Sequence, residues 1–253
     1  MTTVVPAWSA EVVAELPYPV IFATVSGAHL YGFASVDSDL DLRAAHLLPV
    51  SELVGLRLGP ETLSTSGWRD GVELDVVSHD LRKFARLLNS RNGYVLEQLL
   101  SPLVVTTGPL HATLIELAPS FITSGHAQHY LGFAASQQRL FDKTGSLKSA
   151  LYWLRVLLTG QHLMRTGELE TDLAVLGTSL PYVPELIALK RSAEKGPFPA
   201  ALEQALRTDT AALRTALEEA RDTSPLPPYP DPAAVDALHE IIVETRLATP
   251  KQA

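Results

Sequence analysis

The sequence predicts an α+β protein, in which a small mixed sheet with flanking helices is followed by a helical region. Two observations support this fold class. Runs of β-branched and aromatic residues alternate with helical patterns up to about residue 105, and beyond that point apolar residues recur mostly at helical spacing. We therefore expect two domains, residues 1–105 and residues 106–253, with the second closing a cleft over the first.

Three strands are predicted in the first domain. Residues 20–25 are rich in β-branched and aromatic side chains, and a second strand is expected over residues 40–48. Residues 72–77 alternate between apolar and polar side chains, which indicates a third strand. Ser78 or His79 is expected to begin the helix that follows.

Helices account for most of the remaining pattern. Glycine and proline interrupt the apolar periodicity at several points and so separate one helix from the next. Helices are expected over residues 9–16, 127–141, 147–165, 183–194, 199–220 and 233–247.

Composition excludes several classes of protein. The chain has 253 residues, 46% of them hydrophobic and 19% charged, as is typical of a globular protein. No apolar run approaches the roughly 18 residues of a membrane-spanning helix, and the N-terminal residues do not resemble a signal peptide. The absence of cysteine excludes disulfides and thiolate metal sites. We expect a cytoplasmic protein that does not bind membranes.

Charge is distributed unevenly along the chain. The net charge is −8, yet nine basic and three acidic residues lie between Arg82 and Arg165, which makes that segment +6 and the remainder −14. A basic segment in an acidic protein favours a local anionic ligand, such as a nucleoside triphosphate or a nucleic acid strand. Ordinary solvated helix faces are the alternative.

Four carboxylates form the most informative pattern. Asp39 and Asp41 are two residues apart at the start of a predicted strand, so their side chains share one face. Such a pair can bind Mg²⁺, and two ions together can hold the attacking and leaving oxygens of a phosphoryl transfer. Glu73 and Asp75, on one face of another strand, are the candidates for a third carboxylate. Taken alone, the Asp-x-Asp spacing is a weak signal, because acidic turns such as Asp37-Ser38-Asp39 are common.

A glycine turn precedes this pair. The strand over residues 20–25 leads into Ser26, Gly27 and Ala28, where a helix is expected to begin. Backbone N–H groups at a helix start can bind phosphate, and glycine permits close approach. The order of strand, glycine turn, strand and Asp-x-Asp places phosphate binding next to metal binding.

This arrangement resembles the nucleotidyltransferase motif of the DNA-polymerase-beta superfamily, and most closely its RNA-repair-pathway (RNA-ligase-associated) polymerase group. The resemblance covers most of residues 20–170. It rests on His29-Leu30-Tyr31-Gly32, Asp37-Ser38-Asp39-Leu40-Asp41-Leu42-Arg43, Leu48-Pro49, residues 95–102 and residues 147–167.

The resemblance implies a nucleotidyltransferase-type first domain and assigns roles to individual residues. Asp39 and Asp41 would be the metal-binding pair and Asp75 the third carboxylate, although geometry alone does not separate Asp75 from Glu73. Gly27 would lie in the phosphate-binding turn. Ala28 departs from the family, which usually has serine at that position.

Further polar residues are candidates for the phosphates. Lys148 and Arg155 are seven residues apart and therefore share a helix face, from which they could bind triphosphate oxygens. The alternative is an ordinary amphipathic helix. Ser26 and Ser38 are the candidate hydroxyl contacts. Arg43, on the face of Asp39 and Asp41, is expected to pair with a carboxylate and orient it.

These inferences predict an enzyme that transfers a nucleoside monophosphate from an NTP to a hydroxyl and releases pyrophosphate. Two Mg²⁺ ions, or Mn²⁺, would be the cofactors, and the family resemblance implies an RNA end as the acceptor. A small molecule or a protein side chain is an alternative acceptor. Ala28 leaves open a third alternative, a catalytically weakened nucleotide-binding regulatory protein.

Overall fold

The computed structural model describes residues 5–192 and 196–248. These residues form two units, one made of residues 5–26, 39–121 and 230–248, the other of residues 27–38 and 122–229. The chain therefore passes from one unit to the other four times, and the predicted domains 1–105 and 106–253 stay a prediction. Within the described part of the chain, no helix is long and apolar enough to cross a membrane.

The first unit contains a five-stranded mixed sheet, and the predicted α+β class is confirmed. The strand order is β3-β4-β2-β1-β5, with β2 and β4 parallel and the other neighbours antiparallel. The strands are β1 (Val20–Val25), β2 (Leu40–His46), β3 (Thr62–Arg69), β4 (Val72–Asp80) and β5 (Val104–Thr106).

Helices surround the sheet and form most of the second unit. Short 3₁₀ turns at Ala118–Phe121, Gly177–Ser179 and Ala200–Leu202 connect some of them. The helices are α1 (Ser9–Ala14), α2 (Gly27–Leu30), α3 (Ser51–Val54), α4 (Leu81–Asn89), α5 (Gly93–Leu99), α6 (Pro109–Leu117), α7 (His126–Thr144), α8 (Leu147–Thr166), α9 (Leu173–Leu176), α10 (Val183–Ser192), α11 (Glu203–Asp222) and α12 (Pro232–Ala248).

Most predicted elements are present, with two strands added. The sequence did not predict β3 or β5. β3 joins β4 through Asp70 and Gly71, both with positive φ (50° and 79°), which is the favoured Asp-Gly hairpin turn. The helix after β4 begins at Leu81 instead of Ser78 or His79, because β4 continues through Asp80. The predicted end of α10, at Glu194, lies outside the described residues.

The two faces of the sheet pack differently. Alternate residues of the central strands, among them Val25, Leu42 and Val76, form an apolar core with Val13 of α1. On the opposite face, Phe22 packs edge-on against Phe84 of α4, with ring centroids 5.2 Å apart. Helices therefore cover part of both faces, and the remainder of the second face carries the polar residues described below.

A buried ion pair ties the last helix to the sheet unit. Asp80 is fully buried; its Oδ1 accepts the backbone N–H of Arg82 at 3.0 Å and so caps α4. Its Oδ2 accepts the backbone N–H of Leu48 at 3.1 Å and Nη2 of Arg246 at 2.6 Å. Arg246 also donates to the carbonyl of Leu48. One carboxylate thus joins β4, α4 and α12.

The second unit is built around the long helix α8. Its apolar residues Leu151, Leu154 and Leu158 are buried. Gly160 allows close packing of its neighbours, since a Cβ there would lie 2.7 Å from Cβ of Tyr130 on α7 and 3.0 Å from Leu217 on α11. α7, α8 and α11 consequently pack as one helical group.

Candidate active site

Three chain segments meet at one end of the sheet. β1 ends at Val25, and the backbone N–H of Ser26 donates to the carbonyl of Asp41 at 2.9 Å. Asp41 near the start of β2 is the register partner of Asp75 near the start of β4. Because paired residues of neighbouring strands project to the same face, the two carboxylates lie side by side. The predicted proximity of Asp41 and Asp75 is therefore found in the sheet unit.

Arg43 joins these two carboxylates. Its Nη2 donates to Oδ1 of Asp41 at 2.6 Å and to Oδ2 of Asp75 at 2.8 Å. The same guanidinium donates through Nη1 to the backbone carbonyls of Leu42 and Asp75. The Asp41 and Arg43 side chains are mostly buried, at 16% and 18% exposure, whereas Asp75 is 42% exposed. The predicted pairing of Arg43 with a carboxylate is confirmed, and Asp75 stays open to solvent.

The other two candidate carboxylates have different positions. Asp39 lies one residue before β2 and is partly buried, while Glu73 on β4 is exposed. Within residues 5–192 and 196–248, no three His, Asp or Glu side chains are grouped so that they could hold a metal ion. The structure thus brings Asp41 and Asp75 together, but Asp39 does not form a three-carboxylate metal-binding group with them. The metal site stays a prediction.

The predicted phosphate turn has the expected local form. Gly27 begins α2 with φ of 64°, a conformation that glycine adopts without strain. Ala28 is 1% exposed as a whole residue, and because its side chain has no polar atom, its backbone N–H is the group that it could offer to a phosphate. Ser38 is buried and its hydroxyl accepts the backbone N–H of Ser35 at 3.0 Å. Ser38 therefore stabilises its own turn, and phosphate binding by these residues stays a prediction.

The two basic candidates on α8 have different surroundings. Lys148 is half-buried in the first turn of the helix. Arg155 is fully buried, with its guanidinium carbon 3.7 Å from the ring centroid of Tyr31 and 5.7 Å from that of Phe133. This stacking favours the structural alternative for Arg155, since a cation packed on aromatic faces stabilises the helical unit itself. Phosphate binding by Lys148 stays a prediction.

The sequence pattern did not predict β3, and the residues that β3 contributes to this face are therefore new in the structure. Ser66 is the register partner of Asp75, and Trp68 is the partner of Glu73. Trp68 is 71% exposed. The Asp70-Gly71 pair before a strand was the available signal, because such a pair commonly marks a hairpin and hence a strand before it.

A histidine with a low pKa lies further along the same face. Burial, supported by the nearby cations of Lys83 and Arg43 and by His46, lowers the pKa of His79 to about 4. Its Nδ1 is 3.0 Å from the hydroxyl of Thr62. His79 is accordingly neutral at pH 7 in the folded protein.

The stability of the protein is expected to fall between pH 6.5 and pH 4. In this window the unfolded chain protonates His79 and the folded chain does not, so acidification favours unfolding, and because this side chain is only partly buried, solvent screening reduces the effect to about 1–2 kcal/mol. Urea denaturation of the wild type and of His79→Gln at pH 7 and pH 4.5 measures this term. The variant should lose less stability over the window, and equal losses would contradict the assignment.

Comparison with known proteins supports a family assignment. The chain is 30% identical over 164 residues to an uncharacterised protein of Methanocaldococcus jannaschii, covering 64% of this chain and 66% of that protein. It is 29% identical over 183 residues to the uncharacterised protein YcgL of Bacillus subtilis, covering 67% and 66%. The matches thus span just under two thirds of the length of each relative.

A solved structure and a family description complete the comparison. The crystal structure of a nucleotidyltransferase-like protein from Exiguobacterium sibiricum matches 84% of this chain and 72% of its own chain, at 13% identity and a TM-score of 0.33. The sequence model of the RNA repair pathway DNA polymerase beta family matches residues 4–244. Since this match covers nearly the whole chain, the protein belongs to the RNA repair pathway DNA polymerase beta family, which supports a nucleotidyltransferase-like function.

Proposed function

We propose that the protein transfers a nucleoside monophosphate from an NTP to a hydroxyl at an RNA end and releases pyrophosphate. The observation that carries this proposal is the convergence of Asp41 and Asp75 on a single cationic atom at the end of the sheet. Family membership supports the same reaction class, and the family description supports RNA as the acceptor.

The chemistry of the carboxylates suits a magnesium ion. Nη2 of Arg43 contacts one oxygen of Asp41 and one of Asp75, so it marks a point at which these side chains already stabilise a positive charge. Carboxylate oxygens are the ligands that Mg²⁺ prefers, and Mn²⁺ accepts them too. Asp39, Asp41 and Asp75 would hold the metal, which when bound neutralises phosphate charge and lowers the pKa of the acceptor hydroxyl.

In the proposed reaction the acceptor oxygen attacks the α-phosphorus of the NTP. The new P–O bond forms as the bond between the α-phosphorus and the bridging oxygen breaks, and that oxygen leaves with pyrophosphate. Asp75 is the more exposed carboxylate and is the proposed acceptor of the hydroxyl proton. Arg43 positions Asp41 and Asp75. Ser26, Gly27 and the backbone of Ala28 are proposed to bind phosphate oxygens.

Pyrophosphate release tests this proposal directly. Each of the four NTPs would be supplied with Mg²⁺ or Mn²⁺, with and without a mixed pool of RNA oligonucleotides, and RNA length would be followed on a denaturing gel. We expect release that depends on RNA, together with extension of the RNA by one or more nucleotides. Release without RNA would favour a small-molecule or protein acceptor. No release with any NTP would contradict nucleotidyl transfer.

A further inference from the structure

One strand face beside the carboxylates is open to solvent and has no role in the proposed chemistry. The side chains of Thr62, Ser64, Ser66 and Trp68 alternate along β3 and therefore project to one face. Register pairing of Ser66 with Asp75 puts this row on the same face as the carboxylates. Ser64, Ser66 and Trp68 are all exposed. The row spans about 20 Å along the strand.

The two ends of this row have opposite charge. At one end, Trp68 pairs with Glu73, and Ser66 pairs with Asp75. At the other end, Thr62 accepts a hydrogen bond from Lys83 of α4. α4 carries three basic residues and no acidic one. Some of its side chains line a cavity of about 470 Å³, whose lining residues are Glu61, Lys83, Arg86, Leu87, Asn89 and Ser90. The basic end lies about 13 Å from the level of Asp75.

This combination matches the chemistry of a single-stranded nucleic acid. An exposed indole provides a stacking surface for a base, and basic side chains bind the phosphates that follow it. Hydroxyls of Ser64 and Ser66 can donate to or accept from a ribose 2′-OH, which favours RNA over DNA. Charge sets the direction in which the nucleic acid would run along β3, since its phosphates are repelled by Glu73 and Asp75 and attracted by Lys83 and Arg86.

We propose that this face of β3, together with Lys83 and Arg86, binds the single-stranded end of the acceptor RNA, with the terminal base stacked on Trp68. The terminal hydroxyl then lies at the end of the row that carries Asp75, and the preceding phosphates lie towards α4. This inference rests on the proposed function, because it identifies the surface that presents the acceptor to the carboxylates.

Fluorescence anisotropy with a short fluorescein-labelled single-stranded RNA, without NTP, tests the surface separately from the chemistry. Trp68→Ala is expected to weaken binding about 10-fold, and Trp68→Phe to retain most of the affinity. Lys83→Ala/Arg86→Ala is expected to weaken binding. The slope of log K against the logarithm of the salt concentration should also become less negative by about 1.4, because two phosphate contacts are lost.

Matched controls come from the other unit. Tyr229 is 72% exposed, so Tyr229→Ala removes an aromatic ring as exposed as Trp68, and Arg139→Ala removes a basic residue that is exposed, as Arg86 is. Both should bind RNA like the wild type. Unchanged affinity in Trp68→Ala and in the double variant would overturn the proposal, and equal binding of single-stranded DNA would overturn the assignment to RNA. Binding that depends on Trp68 without pyrophosphate release would instead count against the proposed reaction alone.

Discussion

The Asp39→Ala/Asp41→Ala variant is expected to release pyrophosphate from NTP at a rate about 10³-fold or more below that of the wild type. The two carboxylates are the proposed metal ligands, and a metal ion stabilises the charge of a phosphoryl transfer by several kcal/mol, with about 1.4 kcal/mol corresponding to a tenfold change in rate. Initial rates at saturating NTP and acceptor measure the loss. Full activity in this variant would contradict the site.

The neighbouring acidic residues supply the controls. Asp37 is exposed in the turn just before Asp39, so Asp37→Ala removes the same charge nearby and should leave the rate within a few fold of the wild type. Asp75→Asn should be far more damaging than Glu73→Gln if Asp75 is the third carboxylate, because only Asp75 shares Arg43 with Asp41. Melting temperatures of all variants would separate loss of activity from loss of folding.

Asp80→Asn is expected to destabilise the protein by about 3–5 kcal/mol, because it leaves the buried guanidinium of Arg246 without its countercharge. Arg246 is 7% exposed and Asp80 is 0% exposed in the side chain, so water cannot replace the lost partner. Urea denaturation at pH 7 gives the free energy of unfolding. A loss below about 1 kcal/mol would show that the pair contributes no more than a surface ion pair.

Two further variants separate the ion pair from general effects of the substitution. Arg246→Met combined with Asp80→Asn removes both charges, so the double variant should be less destabilised than the sum of the single variants. Glu11 forms an exposed ion pair with Arg69, at 65% and 36% exposure, and Glu11→Gln should change stability by less than about 1 kcal/mol. Comparing the buried pair with this exposed pair tests whether burial is the reason that Asp80→Asn destabilises the protein.

Local patterns were sufficient to predict several elements of the fold. The β-branched run before Ser26 predicted β1 at its observed bounds, and alternation predicted the start of β4 at Val72. The residues after β1 predicted a helix start at Gly27, and the Asp-x-Asp spacing predicted that Asp41 lies near the start of a strand. These features depend on residues that are close together in the chain, so they are visible in the spacing of apolar and polar residues along the sequence.

The sequence by itself therefore determined the class of fold, the strand that carries Asp41, and the family resemblance. Only the tertiary structure decided that β4 lies parallel to β2 in a register that brings Asp75 beside Asp41, and that Arg43 bridges them. The burial of Arg155 against Tyr31, about 120 residues away in the chain, was likewise undetermined. The physical reason is that residue periodicity sets which face a side chain occupies, whereas strand order and helix packing set what that face meets.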